Sequence, residues 1–240
     1  AGIMVLGPRL GRFSPEGESR AIPGHNLSLV ALGGFVLWFG WFGFNGGSTL
    51  TADASIGKIL ANTHLAACAG AVGSALFNAF LGRPTLLTVT VNASIGGLVA
   101  VTAGCATMDA GFAILTGFIA GIITNLGPRL LVKMRLEDVV DAVSVHGFCG
   151  VWGTLAAGLF FSGDLFNLNR IAIQALGIGS ALIWGLGTAW ITYLLIALTI
   201  GIRSTPLHEQ RGLDFTEHSE IGYPEFQQSR TFNPEGLHHH

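Results

Sequence analysis

The sequence predicts an all-α protein, a polytopic transmembrane helical bundle. Three observations lead there. Half of the 240 residues are hydrophobic and only 11% are charged, where a soluble domain carries roughly a quarter. Six long runs lack Asp, Glu, Lys and Arg altogether. The basic residues between those runs fall almost entirely on alternate connections. Length-per-domain rules for soluble chains do not apply to such a sequence, and a net charge of −2 gives no basis for nucleic acid as a partner.

Residues 1–7 (AGIMVLG) read as the last two turns of an apolar helix, with no basic n-region of a signal peptide before them. A polar connection from Pro8 to His25 follows. The six uncharged runs are Leu27–Ala52, Ile59–Gly82, Pro84–Met108, Ala110–Pro128, Ala142–Gly163 and Ile171–Ile202. A hydrocarbon core about 30 Å thick needs roughly 20 residues of helix, so each run can span. The last is long enough to tilt strongly or to continue beyond the bilayer. Asn62, His64, Asn78, Asn92, Asn125 and Gln174 lie inside these runs and are expected to bond between helices. His64 stands close to Lys58, nearer an interface than the midplane, and reads as structural.

If successive connections alternate sides, one side receives Arg9, Arg12, Arg20, Arg83, Arg129, Lys133, Arg135, Arg203, Arg211 and Arg230, and the other only Lys58 and Arg170. The basic excess marks the cytoplasmic side. It puts the 8–25 connection, the 129–141 connection and the C-terminus in the cytoplasm. Residues 1–203 then form a membrane domain and 204–237 a cytoplasmic tail, with 238–240 the start of a purification tag. Cys68, Cys105 and Cys149 are isolated and read as small packing residues. No metal-ligand spacing, cofactor motif or paired acid appears, and the last span holds no lysine for a Schiff base, so neither an enzyme nor a retinal-type receptor is expected.

Two stretches carry chemistry. In ALGGFVLWFGWFGFNGGSTL, Leu37, Trp41, Phe44 and Ser48 recur at +4, +7 and +11 and share one helical face. Aromatic rings ending in a hydroxyl attract a small cation; the same face can equally be an interfacial belt or lipid-facing packing. In DAVSVHGFCGVWGTLAAGLF, His146 lies within an uncharged run, where an ionisable side chain is costly and functional by default. It either bonds a neighbouring helix or lines a lumen. Gly147, Gly150 and Gly153 on the same helix allow another backbone, or an open path, to come close. A neutral imidazole accepts and donates one hydrogen bond, which suits a small neutral polar molecule in a dry passage. Cation attraction outside and a neutral histidine inside would select a species able to shed its charge.

LWFGWFGFNGGSTL and DAVSVHGFCGVWGTLAAGLF closely resemble signatures of the ammonium transporter (Amt/Mep/Rh) family. GRPTLLTVTVNASIGGLVAVTAGC and GLDFTEHSE are similar to it too, and the likeness runs to about Tyr223. The resemblance implies a bundle of eleven helices with inverted internal repeats, assembled as a homotrimer in the inner or plasma membrane, with one pore per subunit for ammonium or ammonia. This chain would supply the end of the fifth helix onward. His146 matches the second pore histidine, Phe44 one gate phenylalanine, and Ser48 the outer-site hydroxyl. Trp41 belongs to the same outer motif, Leu37 to the pore wall, and Asp141 to a structural helix end. The family's first pore histidine, other gate phenylalanine, outer-site tryptophan and early aspartate have no counterpart in these residues. Transport without a cofactor is the leading expectation. The alternative is an ammonium sensor coupled through the tail to a cytoplasmic regulator or output domain, since Ser219 stands where the family more often has glycine.

Overall fold

A computed structural model describes residues 1–224; the end of the expected tail and residues 238–240 lie outside the described residues. The described chain is helical, apart from a single bridge between Phe13 and Ser19 in the first connection. The elements are α1 (Gly2–Leu6), α2 (Leu27–Gly47), α3 (Ser55–Phe80), α4 (Leu87–Thr102), α5 (Ala110–Lys133), a π-helical turn (Val143–Phe148) running into α6 (Cys149–Leu159), α7 (Leu168–Thr199), α8 (Pro206–Arg211) and α9 (Leu213–His218). Every predicted apolar run contains a helix. Four of these, α2, α3, α5 and α7, are long and apolar enough to cross a membrane, while α4 and the Val143–Leu159 segment are shorter apolar helices. The 32 residues of α7 reach about 48 Å at 1.5 Å per residue, well beyond one hydrocarbon thickness.

Residues 1–195 form one compact unit. Its centre is α3, packed on α4 and α5. Small residues make this possible: a Cβ at Gly97 of α4 or at Gly117 of α5 would overlap the carbonyl of Ala66, which is fully buried. In lipid no hydrophobic effect drives helices together, so close backbone approach does it through packing. Asn62, Asn78, Asn92 and Asn125 bond between elements, as expected, whereas the His64 ring hydrogen-bonds only with Cys68 of its own helix and the Gln174 side chain makes no hydrogen bond among the described residues. Asn62 of α3 donates to the carbonyls of Cys105 and Met108 at 2.9 and 3.0 Å. Asn78 donates to Asn125 Oδ1 at 2.9 Å, and Asn125 to Ser74 Oγ at 2.8 Å. By contrast α2 buries only Asn45 and Gly46, and α7 buries nothing.

The connections gather in two groups. Arg9 holds Glu137 through its backbone N–H (2.6 Å), Nε (2.9 Å) and Nη2 (2.7 Å), which ties the 8–25 and 129–141 connections together. Burial alone would raise Glu137, but the hydrogen bonds from Arg9 and the charges of Arg9 and Arg12 outweigh it and hold the carboxyl below its ordinary range. In the other group, Asp109 before α5 meets Lys58 at the start of α3 (3.5 Å) and Ser162 after α6 (3.1 Å). This is the sorting that alternating connections require.

The second unit begins at residue 196. Thr205 Oγ1 caps α8 by accepting from the His208 N–H, with Pro206 in the first turn. Ser219 ends α9 in the left-handed conformation, φ 56°. Glycine adopts that conformation without the Cβ penalty a serine carries, a physical reason for the family's preference there.

Candidate functional site

The predicted face of α2 exists. Asn26 starts the helix by accepting from the Leu29 N–H at 2.9 Å, and the turns that follow bring Leu37, Trp41, Phe44 and Ser48 into line. Leu37 is 50% and Phe44 59% exposed, Ser48 is exposed, and Trp41 is half-buried. The Trp41 and Phe44 ring centroids lie 5.6 Å apart, tilted at 56°. Trp41 Nε1 donates to Thr102 Oγ1 at 2.9 Å, and that hydroxyl donates on to the Leu98 carbonyl at 2.7 Å. The indole is thereby held against the end of α4. Ser48 Oγ donates back to the Phe44 carbonyl.

A cavity of about 260 Å³ opens beside Ser48, lined among others by Asn45, Thr49, Thr102 and Cys105. Asn45 is 4% exposed. Its Nδ2 donates to Thr63 Oγ1 at 2.9 Å, while its Oδ1 is buried without a partner among the described residues.

His146 sits in the π-helical turn, exposed; its carbonyl accepts from the Cys149 N–H, and its ring makes no hydrogen bond among the described residues. The turn has identifiable supports. Asp138 Oδ2 accepts from the Val143 N–H at 2.6 Å, and the Asp141 carbonyl accepts from the Val145 N–H at 2.9 Å. Asp141 itself has φ 59°, a conformation an Asp tolerates better than most residues. Its carboxylate accepts from Asn92 Nδ2 of α4 at 3.1 Å. Burial, then the neighbouring Asp138, pushes that carboxyl above its ordinary range, with Asn92 and Arg12 acting the other way.

Ser144, fully buried, presses on Gly127 of α5, where a Cβ would collide with it. One turn into α6, a Cβ at Gly153 would overlap the Ala100 carbonyl of α4. Gly147 and Gly150 meet nothing closer than ordinary contact. Of the three glycines flanking His146, then, one serves backbone approach and two have room for a Cβ at ordinary contact distance. Trp152 Nε1, donating to the Thr116 carbonyl at 2.9 Å, fastens α6 to α5.

α2 does not touch the π turn or α6; α4 lies between, packing on both. The structure therefore brings Leu37, Trp41, Phe44 and Ser48 onto one face of α2, while His146 belongs to an element that does not contact α2. Both are pinned to α4, through Thr102 and Asn92. The sequence marks Asn92 as a residue that bonds between elements but not its partner, whereas nothing in it marks Thr102. A π turn at a functional histidine is a recurrent association, and no residue pattern announced it. His64 is exposed, with Trp38 and Phe42 rings at 5.4 and 6.2 Å and Cys68 Sγ at 3.6 Å from its Nε2. Among the described residues no group of three His, Cys, Asp or Glu could hold a metal.

Residues 1–223 match the profile of the Ammonium Transporter Family. The ammonium transporter Amt2 of Archaeoglobus fulgidus is 42% identical over 94% of this chain and 52% of its own length. Ammonium transporter 1 member 2 of Arabidopsis thaliana is 32% identical over 92% of the chain and 49% of its own length. A solved structure titled Sensor Amt Protein superposes with a TM-score of 0.85 at 34% identity, covering 90% of this chain and 55% of that one. The chain spans about half the length of the relatives it matches. With a membrane-spanning helical fold, an aromatic face ending in Ser48 and a histidine in an apolar helix, this chain belongs to the ammonium transporter family.

Proposed function

We propose that the chain forms one wall of a path for ammonium and ammonia across a cell membrane, within a homotrimer whose C-terminus is cytoplasmic. Trp41 and Ser48 recruit the ammonium ion at the outer end, by ring quadrupole and hydroxyl oxygen. Phe44 screens the entrance from water, so the ion sheds a proton before passing. Leu37 lines the apolar wall, and His146 offers the neutral molecule a hydrogen bond within it. Asp141 holds the end of the His146 helix in register through Asn92. Residues 1–203 make up the membrane part and the residues after it a tail that receives a regulator.

The observation carrying this reading is the His146 ring, exposed and without a hydrogen bond among the described residues inside an apolar helical segment. A histidine kept for structure would be expected to use its ring to bond a neighbour.

Flux of ammonium and potassium into liposomes, normalised to assembled protein, tests it. His146→Asp should admit potassium, because a fixed anion favours a cation over a neutral molecule. His146→Ala should abolish flux while ammonium binding at Ser48 persists. Unchanged selectivity in well-folded His146→Asp protein rejects the assignment. The likeness to a sensor protein supports a second reading, ammonium sensing through the tail. In that case the same liposomes would show saturable ammonium binding without saturable flux.

A further inference from the structure

Away from the α2 face and His146, a cavity of about 310 Å³ opens where α3 ends, α4 begins and α5 ends. Arg83 and Arg129 both line it, with Asn78, Asn92, Asn125 and Asp141 completing its polar surface and Pro84, Leu86, Val89 and Pro128 its apolar one. The two arginines carry like charge and share this lining. Neither is in an ion pair or side-chain hydrogen bond among the described residues; Arg129 only rests over the Phe77 ring at 5.9 Å. Asp141 is in no ion pair with either of them among the described residues, and Asn92 donates to one of its oxygens. Two arginines in no ion pair among the described residues, on the lining of one partly apolar cavity, are an arrangement suited to an anion. A phosphate group matches it, because each guanidinium presents a planar fork of donors to phosphate oxygens.

We propose that this cavity binds the phosphate of an anionic phospholipid headgroup. The choice of a lipid follows from location and lining. Arg83 sits just past the end of α3, and Arg129 one turn before the end of α5, both helices long and apolar enough to span. This is the depth of a headgroup, and basic pockets between spanning helices on the basic side of a membrane protein take such groups. The asparagine amides and Asp141 face the headgroup's hydroxyls, while Pro84, Leu86 and Val89 meet the glycerol and the first methylenes.

The test uses the intact protein in neutral detergent and fluorescent phosphatidylglycerol, read by anisotropy. Saturable binding is expected, displaced by unlabelled phosphatidylglycerol and not by phosphatidylcholine or millimolar inorganic phosphate. Arg83→Gln should weaken it roughly tenfold, the loss of one charge-assisted fork, and Arg83→Gln with Arg129→Gln further still. Arg83→Lys, which keeps charge but not the fork, should fall between. Arg83 is exposed on a connection, so its variants carry the test even if Arg129→Gln fails to assemble. Complete displacement by inorganic phosphate would instead identify a soluble anion and overturn the lipid assignment. Binding unaltered by the Arg83 variants would overturn the site. Neither readout involves ammonium, so failure here is separable from failure of the proposed transport.

Discussion

Trp41 of α2 donates its indole N–H to Thr102 Oγ1 at the end of α4, at 2.9 Å. It is a side-chain link between an otherwise little-buried helix and the packed centre of the unit, and it sets where the Trp41 ring stands relative to Phe44 and Ser48. Removing it should alter the outer site more than the fold. Thr102→Val keeps the shape and loses the acceptor, at a cost of about 1 kcal/mol, typical of one such bond. Ammonium affinity should fall severalfold while assembly persists. Equal affinity in the Thr102→Val protein would show that the Trp41 ring needs no anchor.

The glycines of α6 should respond unequally. Gly153→Ala places a Cβ on the Ala100 carbonyl, and backbone cannot yield as a side-chain tip can, so a loss of about 1–3 kcal/mol or more is expected. Gly150→Ala meets only Val99 Cγ1 at 3.9 Å and should be close to neutral. Thermal unfolding of the two variants in the same detergent makes the comparison. Similar melting shifts would refute the packing contact between α4 and α6.

Acid should loosen the tie between the first connection and the 129–141 connection. Glu137 is held below its ordinary value of 4.5, so its contribution is complete above that pH and is lost as pH falls through the folded value. Asp141, raised from 3.8, works in the opposite sense: there the folded state loses stability as pH rises through that interval. The two are separated by a local readout. Protection from hydrogen exchange over residues 8–25, taken relative to the intrinsic rate at each pH, should fall below about pH 4.5, and in Glu137→Gln it should be low already at neutral pH. Protection independent of pH in the unaltered protein would contradict the role of Glu137.

Sidedness is open to a direct measurement. With Glu220→Cys as a label site in a background lacking Cys68, Cys105 and Cys149, an impermeant thiol reagent should react only once the membrane has been opened. Labelling of sealed cells would reverse the proposed topology.

The amino-acid sequence alone determined the class of the protein, the positions of its helices and the common face of Leu37, Trp41, Phe44 and Ser48. These follow from local quantities: the length of uncharged runs and the 3.6-residue period of a helix. It also singled out His146, because an ionisable residue within an apolar run is visible without any fold. Only the tertiary structure decided what surrounds these residues. That Thr102 holds Trp41, that Asn92 holds Asp141, and that Gly153 meets the backbone of α4 while Gly150 meets only a side chain of it at ordinary distance depend on how α4 is wedged between its neighbours. So does the convergence of Arg83 and Arg129 on one cavity. In an apolar helix every face is hydrophobic, so the pattern that marks a buried side in water is absent. Partners are then selected by close steric fit and by single polar contacts between residues far apart in the chain, which no local period encodes.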